Sequence, residues 1–121
     1  MANAPVFDLQ ERLIDFAVLV IHTAEHMPHT QAGRLLSDQL LRSGTSPALH
    51  YGEAQGAESK RDFIHKMKVG LKELRECHAC LRIILKASIH PDLAEVEQCR
   101  KECSELVAIF QASVNTAEGK R

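Results

Sequence analysis

The sequence is poor in aromatic residues: it contains no Trp and one Tyr, and aromatics make up only 4% of the chain. A β-sandwich usually contains more aromatic and β-branched residues, so this composition argues against an all-β fold. The hydrophobic fraction of 45% is nevertheless ordinary for a globular protein. The core must therefore be built mainly from Leu, Ile, Val and Ala, as in helix bundles.

A strong charge of one sign and a long apolar run are also missing. The 15 Lys and Arg residues nearly balance the 16 Asp and Glu residues, whereas a nucleic-acid-binding domain is usually clearly basic. No stretch of about 18 apolar residues is present, so we expect neither a transmembrane helix nor a membrane partner. Residues 1–7 lack the basic segment and apolar run of a signal peptide. We therefore expect a cytoplasmic protein, in which the four cysteines would be reduced.

The length of 121 residues fits one domain with one core. We predict a single all-α domain over residues 1–121, with helices at about 8–27, 30–55, 59–87 and 91–115. Short links between segments of similar length make neighbouring helices antiparallel. This pattern predicts an up-down-up-down four-helix bundle.

The first two helices have recognisable landmarks. Asp8 can cap the first helix, with Glu11 three residues later as in a capping box. Four apolar residues at helical spacing fall on one face, namely Leu9, Leu13, Phe16 and Val20, with Ala17, Ile21 and Ala24 beside them. Pro47 lies inside the second segment and should kink it. The alternative is two shorter helices that meet near Gly44.

The third segment has the clearest pattern, because its apolar residues step by four and three positions, as in a packed bundle. This seam consists of Phe63, Met67, Gly70, Leu74, Cys77, Leu81 and Ile84. A second stripe, expected to widen the buried face, consists of Ile64, Leu71, His78 and Leu85. The fourth helix has a seam of Val96, Cys99, Cys103, Leu106 and Phe110. The tail from residue 115 is expected to fray.

A polar row interrupts the apolar pattern of the second and third helices. It consists of Arg42, Ser43, Ser46, His50, Glu53, Lys66, Glu73 and Glu76. If the two helices are antiparallel neighbours, Arg42 can pair with Glu73 or Glu76, and Lys66 can pair with Glu53. Charges inside a bundle are costly unless paired, so a buried polar row could fix register, line a pocket or line an oligomer axis. The alternative is a solvated face with ordinary salt bridges.

The polar row and its neighbours resemble a known family. The resemblance depends on an ordered series: Gln39, Leu40, Leu41, Arg42, Ser43, Ser46, Glu53, Ala54, Ser59, Asp62, Phe63, Ile64, Lys66, Glu73 and Glu76. This series is similar to the four-helix bundle proteins encoded in intervening sequences of bacterial 23S rRNA genes, over about residues 9–85. The resemblance implies an up-down bundle that assembles as a ring, typically a pentamer, with no established enzymatic activity.

Three positions depart from the family pattern. His50 stands where the family usually has Asn, Pro47 replaces a residue that favours helix, and an aromatic residue, commonly Trp, is absent near Cys80. A more distant relative of the fold is the accessory protein of diversity-generating retroelements, which is basic and binds reverse transcriptase and nucleic acid. This chain lacks that positive charge, so the comparison with that protein extends to the fold and not to the activity.

A basic stripe lies on the third helix, away from its seam. It consists of Arg61, Lys68, Lys72, Arg75, Arg82 and Lys86. The stripe could bind RNA phosphates, although no aromatic residues are interleaved with it to stack on bases. Three acidic residues of the fourth helix could pair with it, within one chain or across a subunit boundary: Glu95, Glu102 and Glu105.

Two clusters could hold a metal ion. A hairpin of the third and fourth helices would bring four cysteines to one height, where they could bind zinc: Cys77, Cys80, Cys99 and Cys103. Because they fall largely on apolar seams, packing as small hydrophobic residues is the preferred interpretation. The second cluster, at the first link, consists of His22, His26 and His29 and could bind a transition metal. A solvated helix end is the simpler interpretation there.

The sequence offers little for catalysis. Glu73 and Glu76 are close carboxylates, but a spacing of three on a helix is more typical of salt bridges than of acid–base chemistry. We therefore predict a non-enzymatic, homo-oligomeric interaction module without a cofactor, in which five copies bury apolar surface left over on the second and third helices. One alternative is an RNA- or reverse-transcriptase-binding accessory protein, and the other is a metal-binding bundle.

Overall fold

A computed structural model describes residues 8–120. Its helices are α1 (Leu9–Glu25), α2 (Gln31–Gln55), α3 (Lys60–Ala87) and α4 (Leu93–Ala117), and this part of the chain contains no strand. Every predicted helix end is confirmed to within two residues. Because α4 continues to Ala117, the fraying expected from residue 115 is wrong for the first three of those residues. The signal-peptide question concerned residues 1–7, which lie outside the described range.

Each helix begins at a side-chain cap, which explains why the helix starts could be predicted. The side chains of Asp8, Thr30, Ser59 and Asp92 each accept a hydrogen bond from the backbone N–H three residues later, at 3.0–3.1 Å. Each bond satisfies a donor that the first turn would otherwise leave unpaired. α3 ends at Ser88, whose φ of 55° lies in the left-handed region and turns the chain towards α4.

α2 is one continuous helix that passes through Pro47. The prediction of a single helix is confirmed, and the alternative of two helices meeting near Gly44 is wrong. Pro47 has no N–H to donate, but its ring is buried and contributes to the core. The hydroxyls of Ser43, Thr45 and Ser46 each donate to the carbonyl oxygen four residues earlier, at 2.6–2.8 Å. Hydroxyl bonds of this kind bend helices slightly.

The four helices pack as a square. α2 lies between α1 and α3, and α4 also contacts both α1 and α3. Among residues 8–120, α1 and α3 are not neighbours, so they occupy diagonally opposite corners. The predicted up-down-up-down bundle is confirmed. No helix within this range combines the length and the apolarity that a bilayer crossing requires.

The core is aliphatic, with Phe16 and Phe110 as its largest fully buried side chains. The predicted seams of α3 and α4 are buried except for Phe63, which is half-buried. The second stripe of α3 is only partly confirmed, because Leu71 alone is buried and its other members are half-buried. On α1 the predicted face is buried, and of the three residues beside it Ala24 is buried, Ala17 is half-buried and Ile21 is exposed.

Candidate functional site

The polar row follows the seam between α2 and α3. Arg42 Nη1 donates to Glu73 Oε2 and Arg42 Nη2 donates to Glu76 Oε2, both at 2.9 Å. Lys66 Nζ donates to Glu53 Oε1 at 3.3 Å. These are the pairs that the sequence predicts. They join two neighbouring helices, so they fix the register of α2 against α3.

In the single chain the polar row is partly exposed, between the buried layer and the solvated face that the sequence left open, and Lys66, Glu73 and Glu76 are half-buried. The Arg42 side chain is 51% exposed and that of Glu53 is 56% exposed. Ser43 is the buried member, while Ser46 and His50 are half-buried. Long side chains can cross the seam and keep their charged ends in water, which avoids the cost of desolvation. The idea that an oligomer covers this row stays a prediction.

The basic stripe lies along the exposed side of α3. Lys68 Nζ pairs with Glu118 Oε2 at 2.9 Å, and Arg75 Nη2 donates to Gln111 Oε1 at 2.8 Å. The other four members are exposed and form no salt bridge within residues 8–120: Arg61, Lys72, Arg82 and Lys86. Most of the stripe is therefore available to an external anionic partner.

Within the single chain, Glu95, Glu102 and Glu105 of α4 form no salt bridge with the basic stripe, and pairing across a subunit boundary stays a prediction. Arg12 of α1 donates from Nε and Nη2 to the two carboxylate oxygens of Glu102, at 2.7 and 2.8 Å. Arg12 Nη2 also donates to Glu105 at 2.9 Å, while Glu95 accepts a bond from the Thr23 hydroxyl at 3.3 Å. This α1–α4 cluster was not predicted from the sequence. The feature of the sequence that could have indicated it is that Arg12 is the one Lys or Arg residue in α1.

The family assignment can now be made. The sequence profile described as 23S rRNA-intervening sequence protein matches residues 7–112. The chain belongs to this family. Among solved structures, its bundle is similar to the crystal structure of a protein with unknown function from the S23 ribosomal protein family of Bacteroides thetaiotaomicron. The two chains are 25% identical, the match covers 88% of this chain and 98% of the other, and the TM-score is 0.80. Among curated proteins, none matches this chain.

The four cysteines of this 23S rRNA-intervening sequence protein are buried and unbridged. A hydrogen bond with Cys103 raises the pKa of Cys77, and burial raises the pKa of Cys99 and brings the pKa of Cys80 to about 11. Within residues 8–120, no three His, Cys, Asp or Glu side chains are arranged to hold a metal ion. The zinc interpretation therefore has no geometric support in this part of the chain, and the four thiols pack in the core.

The histidines of the first link likewise belong to no group of three side chains within residues 8–120 that could hold a metal ion. His22, His26 and His29 are exposed, and the ring Nδ1 of His26 lies 2.8 Å from the carbonyl oxygen of His22. One ring nitrogen of the cluster is therefore occupied by the helix backbone. The cluster is a solvated helix end in this 23S rRNA-intervening sequence protein.

Proposed function

We propose that this chain is a non-enzymatic, homo-oligomeric interaction module of the cytoplasm, with a ring of five copies as the favoured assembly. Membership of the 23S rRNA-intervening sequence protein family supports the bundle as the unit of that assembly. The single observation that carries the proposal is an apolar stripe on α1 that one chain leaves in water.

The apolar stripe consists of Ile14, Val18 and Ile21. Their side chains are 39%, 46% and 39% exposed, and their spacing of four and three residues puts them on one side of α1. Scattered exposed aliphatic residues are normal, but a contiguous stripe is typical of an interface. Apolar surface was expected on the second and third helices. Leu49 and Ile83 are indeed exposed there, but the contiguous part lies on α1.

The pairing of the polar groups supports a binding role over a catalytic one. Glu73 and Glu76 are the two carboxylates considered for acid–base chemistry, and both accept hydrogen bonds from Arg42. Each carboxylate is thus engaged with a guanidinium from the neighbouring helix. The pair is therefore better suited to holding α2 against α3 than to proton transfer.

Light scattering coupled to size-exclusion chromatography tests the proposal. One chain has a mass of 13.5 kDa, and we expect about five times that mass at physiological salt. Val18→Lys should lower the mass while the helical circular dichroism is retained. Leu93→Lys is the matched control, because Leu93 is exposed but lies outside the apolar stripe. A monomeric wild-type protein at every concentration would contradict the proposal, and another copy number would replace the pentamer.

A second candidate function is binding of RNA or of a reverse transcriptase. One observation favours it, namely that most of the basic stripe is exposed and has no salt bridge in the described part of the chain. Filter binding with short RNA at low and moderate salt tests the RNA arm. Binding through phosphates must weaken as salt rises. The absence of salt-sensitive binding would dismiss this candidate.

A further inference from the structure

α1 and α3 present opposite charges on diagonally opposite corners of the bundle. All the exposed charged residues of α1 and of its N-cap are acidic: Asp8, Glu11, Asp15 and Glu25. None of the four forms a salt bridge within residues 8–120. The exposed side of α3 carries the basic stripe, most of which also has no salt bridge there. Each corner therefore has a set of unpaired charges that the other could neutralise.

The charged residues of α1 and α3 also share a spacing along the helix. On α1, Glu11 and Glu25 lie seven residues before and after Val18 of the apolar stripe. On α3 the same spacing is found in Lys72, Ala79 and Lys86. In both helices the two charges are about 21 Å apart along the axis, with a small or aliphatic residue midway between them. Seven-residue steps keep all three on one side of a helix.

We propose that the outer face of α1 in one copy docks on the outer face of α3 in the next copy. The inference rests on the proposed function, since it names the two surfaces through which the copies assemble. A symmetric α1–α1 contact would instead bring Glu11, Asp15 and Glu25 close to their own equivalents. The α1–α3 contact places these carboxylates near Lys72 and Lys86 and covers the apolar stripe.

Charge and apolarity together favour a second copy over RNA as the partner of the basic stripe. RNA phosphates would neutralise the stripe, but they would leave the apolar stripe of α1 in water. A second copy satisfies both surfaces in one contact. Because the two surfaces differ, each copy can hold one partner on each side, and a contact of this kind generates a ring when the rotation between copies closes.

Charge reversal followed by charge swapping tests the docking. The variants E11K/E25K and K72E/K86E should each shift the mass from the wild-type oligomer towards the monomer in light scattering. The fourfold variant carrying both pairs of changes should recover the wild-type mass, because each interface again joins opposite charges. The control D38K/E58K makes the same net-charge change as E11K/E25K at two exposed positions outside both surfaces. It should keep the wild-type mass.

The outcomes separate this inference from the proposed function. A monomeric wild-type protein would overturn both. If the wild type is an oligomer and neither double variant changes its mass, only the α1–α3 docking is overturned. The same holds if K72E/K86E loses salt-sensitive RNA binding but keeps its mass. If a double variant loses its helical circular dichroism, E11Q/E25Q and K72Q/K86Q replace it. These neutral variants should raise the protein concentration needed for assembly, and an unchanged concentration would overturn the docking.

Discussion

His90 and Thr23 are joined by a buried hydrogen bond, in which Nε2 of His90 donates to the carbonyl oxygen of Thr23 at 2.9 Å. The direction follows from the other ring nitrogen, because Nδ1 of His90 accepts the backbone N–H of Asp92 at 2.9 Å and so cannot carry the proton of a neutral ring. His90 is only 5% exposed. The link between α3 and α4 is thereby fixed to the end of α1.

His90→Ala should destabilise the bundle by about 1–3 kcal/mol, because it removes two hydrogen bonds and leaves a cavity. Urea denaturation followed by circular dichroism measures the change in the free energy of unfolding. His65→Ala is the control, since His65 is exposed on α3 and should change stability by less than about 0.5 kcal/mol. Equal effects of the two substitutions would contradict the structural role of His90.

Two glycines of α2 should respond to alanine in opposite directions. A Cβ at Gly44 would lie 2.6 Å from Cγ1 of Val20, whereas a Cβ at Gly52 would meet only the side-chain end of Gln10, at 3.8 Å. Gly44→Ala should destabilise the bundle by about 1–3 kcal/mol through overpacking. Gly52→Ala should stabilise it by up to about 1 kcal/mol, since alanine favours helix over glycine. Thermal unfolding of both variants measures the difference, and a stabilised Gly44→Ala variant would refute the close α1–α2 approach.

Alkaline pH should weaken the fold through its buried thiols. Burial raises the pKa of Cys80 from 9.0 to about 11, and it also raises the pKa of Cys99. Because these pKa values are higher in the folded chain, the unfolded chain ionises first as pH rises. The stabilisation from Cys80 is fully present below about pH 9 and is lost as pH rises through about 11.

Urea denaturation of the wild type and of Cys80→Ala tests this linkage. The free energy of unfolding should fall less steeply above about pH 9 in the variant, because one raised pKa has been removed. Lysine and tyrosine titrate in the same range, so the comparison between the two proteins, and not the wild-type slope alone, decides. Parallel pH profiles would show that the Cys80 thiol contributes nothing to the linkage.

The sequence was sufficient for the fold because helix signals are local. The cap at Asp8 and the steps of the α3 seam each depend on a few nearby residues, and the cap and most of the seam were confirmed. Pro47 was harder to interpret, because its cost in backbone hydrogen bonding is local whereas the burial of its ring depends on the neighbouring helices.

The site was harder to predict because it depends on which helix faces meet. The Arg42 pairs followed from an antiparallel α2–α3 contact, but spacing alone could not tell a buried row from one at the surface. Glu102 was expected to face the basic stripe, and only the packing of α1 on α4 places it against Arg12 instead. Ile21 lies near the edge of the buried face of α1, where a small rotation of the helix determines its exposure.

The bond between Arg12 and Glu102 provides a last prediction, because it depends on the shape of the guanidinium. Arg12→Lys keeps the charge but cannot reproduce the paired N–H bonds to the two oxygens. It should lower the free energy of unfolding by about 1 kcal/mol, and the loss should shrink at high salt. Urea denaturation at low and high salt measures both effects. Arg61→Lys is the control, since Arg61 is exposed on α3, and an equal loss in this control would contradict a specific role for Arg12.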